Sequence, residues 1–310
     1  MASLQETKRR IKAVTNTNQI TRAMEMVSAT KMRRSQEIAL RTRAYAIEAL
    51  RILSEMSRRT TYRPALMKRR TVRRTAVLIV TSDRGLAGSF NSNIFRVFEE
   101  KVSPFISDRA KYVFFAVGKK AEEYFRRKQI IPERAFKDVG DYIEPQETRP
   151  LSDLLIEGFI KKKWDKVMVI STHFRTTLRQ DVIVRDLLPI TARKITETIR
   201  ELVPEYGRFS ELREEDAPRT WAETFEYLVE PSPERVLDEL APKLFAVAVY
   251  DLILEANASE HSARMVAMKN ASENAAELKN ELTLEYNKSR QASITREISE
   301  IVGSAEALKT

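Results

Sequence analysis

Residues 3–58, SLQETKRRIKAVTNTNQITRAMEMVSATKMRRSQEIALRTRAYAIEALRILSEMSR, contain neither glycine nor proline. Both residues interrupt helices, so a run this long without them reads as one continuous helix. Ser3, followed three residues later by Glu6, has the form of a capping box at its start. At about 1.5 Å per residue the helix would extend roughly 84 Å. That is too long to be buried whole in a domain of this size, so its stability has to come from a partner surface.

The other end of the chain has the same character. Residues 243–310 hold no proline and one glycine, Gly303, and would form a helix roughly 100 Å long. All eleven prolines lie between Pro64 and Pro242, and six of the seven glycines between Gly85 and Gly207. The pattern predicts two long helices flanking a compact domain, paired antiparallel because that domain connects them. Candidate seam positions on the first helix are Leu4, Ile11, Val14, Ile20, Met24 and Val27, then Ile47, Leu50, Leu53 and Met56. On the last they are Ala271, Ala275, Leu278 and Leu282, then Ile294, Ile298, Ile301, Ala305 and Leu308 at 4,3 spacing. A helical bundle or a coiled coil between copies of the chain is the alternative.

The middle reads as α/β. Residues 74–82, RTAVLIVTS, form a β-branched run that stops at a glycine turn, and residues 92–102 have helical spacing. Further strands are expected at 111–117, 166–171 and 180–186, with helices from 118 to 128 and from 152 to 163. A short strand is expected at 227–229, and Pro231-Ser232-Pro233 as a turn leading into the last helix. The expected division is a helix at 1–63, a basic linker at 64–75, an α/β domain at 76–217, a connector at 218–242 and a helix at 243–310.

Composition excludes several kinds of chemistry. There is no cysteine, which removes disulfides, thiolate metal sites and thiol catalysis. Two histidines, His173 and His261, are too few for a histidine-rich metal centre. No apolar run approaches the ~20 residues of a membrane span, and the first ten residues lack the apolar core of a signal peptide. A soluble intracellular protein is expected. Of the formal net charge of +10, residues 1–63 carry +9 and residues 64–75 carry +5, while the rest of the chain is slightly acidic. Such a basic helix suits either nucleic acid or an acidic protein sleeve. Aromatic platforms are scarce there, with only Tyr45 and Tyr62 in the first 63 residues.

Three local patterns invite a chemical reading. Residues 82–91, SDRGLAGSFN, follow a strand and precede a helix, where a phosphate loop would sit. They lack both G-x-G-x-x-G and G-K-[ST], so a tight turn or protein-contact loop is the better reading. Ser171-Thr172-His173 follows a strand without a nucleophile elbow, so His173 reads as a satisfied loop histidine. His261, beside Glu260 and Arg264, reads as part of an ion cluster on one helix face.

Four motifs, in order along the chain, are more specific. They are IKAVTNTNQITRAMEMVSATKMRR (11–34), SDRGLAGSFN (82–91), ASEHSARMVAMK (258–269) and YNKSRQASITREISEIV (286–302). Together they resemble the gamma subunit of F-type ATP synthases over nearly the whole chain. The resemblance implies a fold of class α/β: a long antiparallel coiled coil of the N- and C-terminal helices plus a central Rossmann-like domain. It implies a rotor shaft with no catalytic residues and no cofactor. The partners it implies are the alpha and beta subunits of a catalytic ring, the epsilon subunit and a membrane c-ring. With no transit peptide visible, a bacterial origin is expected, with a processed mitochondrial chain as the alternative; the likeness then implies a peripheral place on the cytoplasmic face of the plasma membrane.

Carried over position by position, the resemblance places ring contacts at Met24, Arg84, Ala87, Glu260, Arg264, Arg290, Gln291, Thr295 and Glu297. It places contacts with the c-ring and epsilon at Tyr227 and Glu230, and Leu308 in an apolar collar at the tip. The sequence departs from the family in four places. Ala87 stands where many members have cysteine and Arg22 where lysine is common. Val229 replaces a frequent aromatic, and Val302-Gly303-Ser304 replaces the commoner Ser-Gly order. The readings that compete with a shaft are a basic coiled-coil protein that binds nucleic acid and an α/β enzyme with helical arms.

Overall fold

A computed structural model describes residues 4–102, 109–191 and 229–307. Helix α1 spans Leu4–Arg59 (56 residues). Strand β1 (Thr75–Val80), helix α2 (Phe90–Lys101), strand β2 (Tyr112–Val117), helix α3 (Lys119–Arg127) and strand β3 (Arg134–Phe136) follow. Then come helix α4 (Pro145–Ile160), strands β4 (Lys166–Phe174) and β5 (Gln180–Leu188), and helix α5 (Pro233–Ala307), which is 75 residues long. The chain divides into two compact units, one of residues 29–264 and one of residues 1–28 with 265–310.

The larger unit is built on a sheet of order β3-β2-β1-β4-β5, parallel except for β5, which runs antiparallel to β4. Alternate residues of the strands feed two cores, as the pleat requires. Val77, Ile79, Phe114, Ala116 and Ile170 pack with Ile94 and Phe98 of α2 and with Ala121 and Phe125 of α3. On the opposite face Leu78, Val80, Phe115, Val117 and Val169 pack with Leu53 and Met56 of α1, Leu155 and Phe159 of α4, and Leu237 to Ala256 of α5. Because both faces are covered, β1 is buried at every position from Ala76 to Val80, so it reads as continuous rather than alternating. Two glycines permit this packing. A Cβ on Gly158 would lie 1.9 Å from the Trp164 ring, and one on Gly118 would lie 2.2 Å from Thr81 O.

In this unit α1 and α5 run antiparallel. Thr60 Oγ1 donates to Glu234 at 2.9 Å and the Tyr62 hydroxyl to Asp238 at 2.8 Å, all near the start of α5. Several expectations need correction. Helix α5 begins at Pro233 rather than at 243 and passes through Pro242. Leu237, Ala241, Leu244 and Phe245 are buried there, and that packing outweighs one missing backbone hydrogen bond. Helix α4 starts at Pro145, well before 152, because Glu144 and Glu147 form a reciprocal cap and Pro145 occupies a first-turn position. Strand β4 runs on to Phe174, so Ser171-Thr172-His173 is strand and not loop. Strand β3, only three residues long, had no visible signal. The short strand expected at 227–229 falls outside the described residues except for Val229.

In the smaller unit the helices are again antiparallel, with Asn18 Nδ2 donating to Ser272 O at 2.6 Å. The seam matches expectation at Ala275 and Leu282, which are buried, and at Leu4, Ile11, Val14 and Met24, which are half-buried, and differs elsewhere. Thr7, Thr21 and Ser28 are buried on α1, and Met268, Ala275 and Leu282 on α5, each set in multiples of seven. Ile20 and Val27, expected in the seam, are exposed. Small residues let the helices approach closely, and the Thr21 hydroxyl is satisfied within its own helix by Thr17 O at 3.0 Å. On α5 the expected run Ile294, Ile298 and Ile301 is also exposed, at 46%, 56% and 67%. The reason is register. The Asn18–Ser272 pairing places Leu4 opposite about Tyr286 if both helices rise equally, so the end of α5 outruns α1.

Candidate functional site

The strand order creates a switch point between β1 and β4, the place where open α/β sheets usually bind ligands beyond the carboxyl ends of their strands. In this chain the groups that would receive a ligand are bonded to each other. After β1, Ser82 N donates to Asn91 Oδ1 at 3.1 Å, Asn91 Nδ2 to Ser82 Oγ at 2.7 Å, and Ser82 Oγ to Arg84 O at 2.7 Å. Leu86 and Gly88 take left-handed φ of 64° and 55°, closing a tight turn into α2. The first amides of α3 are occupied as well. Lys119 N donates to Asp83 Oδ1 at 2.8 Å, Lys120 N to Ser82 O at 3.1 Å and Ala121 N to Thr81 Oγ1 at 2.8 Å. A phosphate would need those amides free.

Helix α5 fills the crevice itself. Its residues 255–264 meet the end of β4, the β4–β5 hairpin and the 82–91 turn. Glu255 accepts from His173 Nδ1 of β4 and, through its other oxygen, from Arg185 Nη1 of β5 at 3.3 Å, with all three side chains buried. Ser262 Oγ donates to Thr177 O at 2.7 Å. Arg264 donates through Nε and Nη2 to Gly85 O at 3.3 and 3.2 Å, and through Nη2 to Glu260 Oε1 at 2.6 Å. Its Nη1 lies 3.2 Å from His261 Nδ1. His261 Nε2 in turn lies 2.8 Å from Asp141 Oδ1, and Asp141 also pairs with Lys31 of α1.

Electrostatics follow from these contacts. Hydrogen bonding from His261, reinforced by Lys31, holds the Asp141 carboxyl far below the usual carboxylate range despite its partial burial. Burial raises the Glu260 carboxyl, and the Arg264 guanidinium only partly opposes the rise. Among the described residues no group of three or more His, Asp or Glu is placed to hold a metal ion.

Arg84, Glu260 and Arg264 therefore meet at one point, although Arg84 takes part through its backbone carbonyl and its side chain is exposed. Ala87 is buried in the core against α2, its side chain turned away from solvent. Met24, Arg290, Gln291, Thr295 and Glu297 belong to the smaller unit. The last four are exposed and Met24 is half-buried. Glu230 is exposed ahead of α5, and Tyr227 lies outside the described residues. Sequence reasoning missed Lys31, Asp141, Arg185 and Glu255. Their partners stand tens of residues away or more, and no local spacing announces them.

Helices that outrun their intrachain partner and a switch point plugged by the chain's own helix define a protein built to engage other proteins. A family model described as ATP synthase matches residues 3–308. The chain is 37% identical over 310 residues to the "ATP synthase gamma chain" of Geotalea daltonii, with both chains fully covered. It is 41% identical over 317 residues to the same-named chain of Roseiflexus castenholzii, covering 99% of each. Among solved structures it resembles a chain of the Euglena gracilis mitochondrial ATP synthase, at a TM-score of 0.64 and 20% identity, over 98% of this chain and 94% of that one. A central-stalk chain from Tetrahymena thermophila gives a TM-score of 0.57 at 24% identity, over 82% and 99%. The chain belongs to the ATP synthase gamma chain family.

Proposed function

We propose that the chain is the central rotor shaft of a bacterial F-type ATP synthase. In this reading it turns inside a ring of alternating alpha and beta subunits and couples a membrane c-ring to ATP synthesis or hydrolysis in the beta subunits. The observation that carries it is the end of α5. Ile294, Ile298, Ile301 and Val302 stay exposed on a stretch of helix that runs past the start of α1. Ile20, Met26 and Val27 are exposed on α1 as well. A stripe this apolar calls for a surrounding surface supplied by other chains, and family membership supports an alpha and beta ring as that surface.

The physics of the task fits. A shaft must be stiff, and helices of 56 and 75 residues free of glycine up to Gly303 meet that need. It must also avoid one preferred orientation, because only unequal affinity between states biases an equilibrium. The mutual bonding of polar groups at the switch point supports a non-catalytic role, with the chemistry in the beta subunits.

On this reading residues 1–63 and the helix that begins at Pro233 form the shaft and residues 76–217 the foot, with 64–75 as linker and the stretch from 218 up to Pro233 as connector. Met24, Arg84, Glu260, Arg290, Gln291, Thr295 and Glu297 face the ring, and Tyr227 and Glu230 face epsilon and the c-ring; Ala87 and Arg264, both buried, act only by supporting the 82–91 turn. Among the described residues no helix is long and apolar enough to cross a membrane. Attachment to the cytoplasmic face would therefore run through epsilon and the c-ring.

Co-expression with alpha and beta subunits tests the reading. The expected result is a complex whose ATP turnover depends on this chain. A chain that never joins the ring, yet binds duplex DNA with a steep salt dependence, overturns it.

A further inference from the structure

Residues 140–143, between β3 and α4, are held by side chains from both long helices. From α1, Lys31 pairs with the Asp141 carboxylate, Ser35 Oγ donates to Asp141 O at 3.4 Å, and the Arg34 guanidinium sits 4.4 Å from the centre of the Tyr142 ring. From α5, the Tyr250 hydroxyl donates to Ile143 O at 3.0 Å, Asn257 Nδ2 to Gly140 O at 3.2 Å, and His261 Nε2 lies 2.8 Å from Asp141 Oδ1. A short loop thus ties α1 to α5 within the larger unit, and its Asp141 carboxylate lies against both helices, paired with Lys31 of α1 and 2.8 Å from His261 Nε2 of α5.

The tie extends further. An arginine has donors and no acceptor, so where Arg264 Nη1 meets His261 Nδ1 at 3.2 Å the nitrogen of the imidazole must accept. That assigns the His261 proton to Nε2, which faces the Asp141 carboxylate. That tautomer is the one a carboxylate selects. The same guanidinium reaches Gly85 O and Glu260 Oε1 through its other nitrogens. A chain of contacts runs from Lys31 through Asp141, His261 and Arg264 to the turn at 84–85.

We propose that Asp141 and His261 are positioning residues. Asp141 fixes the His261 tautomer, the tautomer fixes the Arg264 guanidinium, and Arg264 holds the 82–91 turn in the orientation it presents to its partner. The charged and titratable groups facing His261 are Asp141 with Lys31 behind it, and Arg264 with Glu260 behind it. The proposal rests on the shaft reading for the step from Arg264 to turnover.

The test uses the complex with alpha and beta subunits and measures ATP turnover. At neutral pH His261→Ala and Asp141→Ala lower turnover roughly two- to thirtyfold, the range expected for residues on a coupling path. His261→Gln recovers most of the loss, because its amide donates to Asp141 and accepts from Arg264. In an Arg264→Ala background the effect of His261→Ala disappears, as expected for residues acting in series. Turnover in His261→Gln as low as in His261→Ala, or full additivity of His261→Ala with Arg264→Ala, overturns the proposal. A complex that fails to assemble in every variant and in the wild type counts instead against the shaft reading.

Discussion

Arg264 and Gln291 lie in different units and occupy different surroundings, the first buried against Gly85 and the second exposed. Replacing either with alanine is expected to lower ATP turnover while the complex still assembles, and wild-type turnover in both variants would remove them from coupling. Asp141 adds a linkage that can be measured on the chain without its partners. Its carboxyl is depressed in the folded state, so its contribution to stability is present above the ordinary value of about 3.9 and is lost as pH falls below it. Denaturant unfolding at neutral pH should show Asp141→Asn less stable than wild type. The difference should shrink below about pH 4, and a gap constant with pH would contradict the assignment. Gly158 shows a limit set by space. Gly158→Ala forces a methyl into the Trp164 ring and should cost about 1–3 kcal/mol, seen as a lower unfolding midpoint.

Elements show where patterning misleads. Large apolar residues would be expected to form the seam of the helix pair, yet Thr7, Thr21 and Ser28 are buried while Ile20 and Val27 face out. Close approach favours small side chains, and the hydroxyl of Thr21 bonds within its own helix. Ser28→Leu should therefore push the helices apart and lower the melting temperature of the helical signal by circular dichroism. Ile20→Ser, at an exposed position, should leave that signal close to wild type. Its effect is expected on assembly with the ring, measured by co-purification. The sheet behaves in the opposite way. Strands β1, β2 and β4 are legible as unbroken β-branched and aromatic runs because both faces are buried, whereas three-residue β3 is not.

At the scale of the molecule, the two compact units differ in what stabilises them. Residues 29–264 close a two-faced core around a sheet, whereas the smaller unit offers one narrow seam of small residues. Long helices with little burial depend on added packing. Without its partners the chain should melt in stages, with helical signal from the smaller unit lost first and the sheet-based unit later. A single sharp transition of the whole chain would contradict this. Assembly with alpha and beta subunits should raise the early transition by mass action.

The placement of glycine and proline determined on its own that two long helices flank an α/β domain, because breakers are tolerated in turns and excluded from helices. The four motifs determined the family. What only the tertiary structure decided was which polar groups meet. Lys31, Asp141, His261 and Arg264 come together from α1, a short loop and α5, and Glu255 joins His173 and Arg185 across a sheet edge. Such contacts carry no period in sequence. They exist because packing of Leu237 to Ala256 against the sheet brings the following turns of α5 to the carboxyl ends of the strands, where the crevice would otherwise stand open.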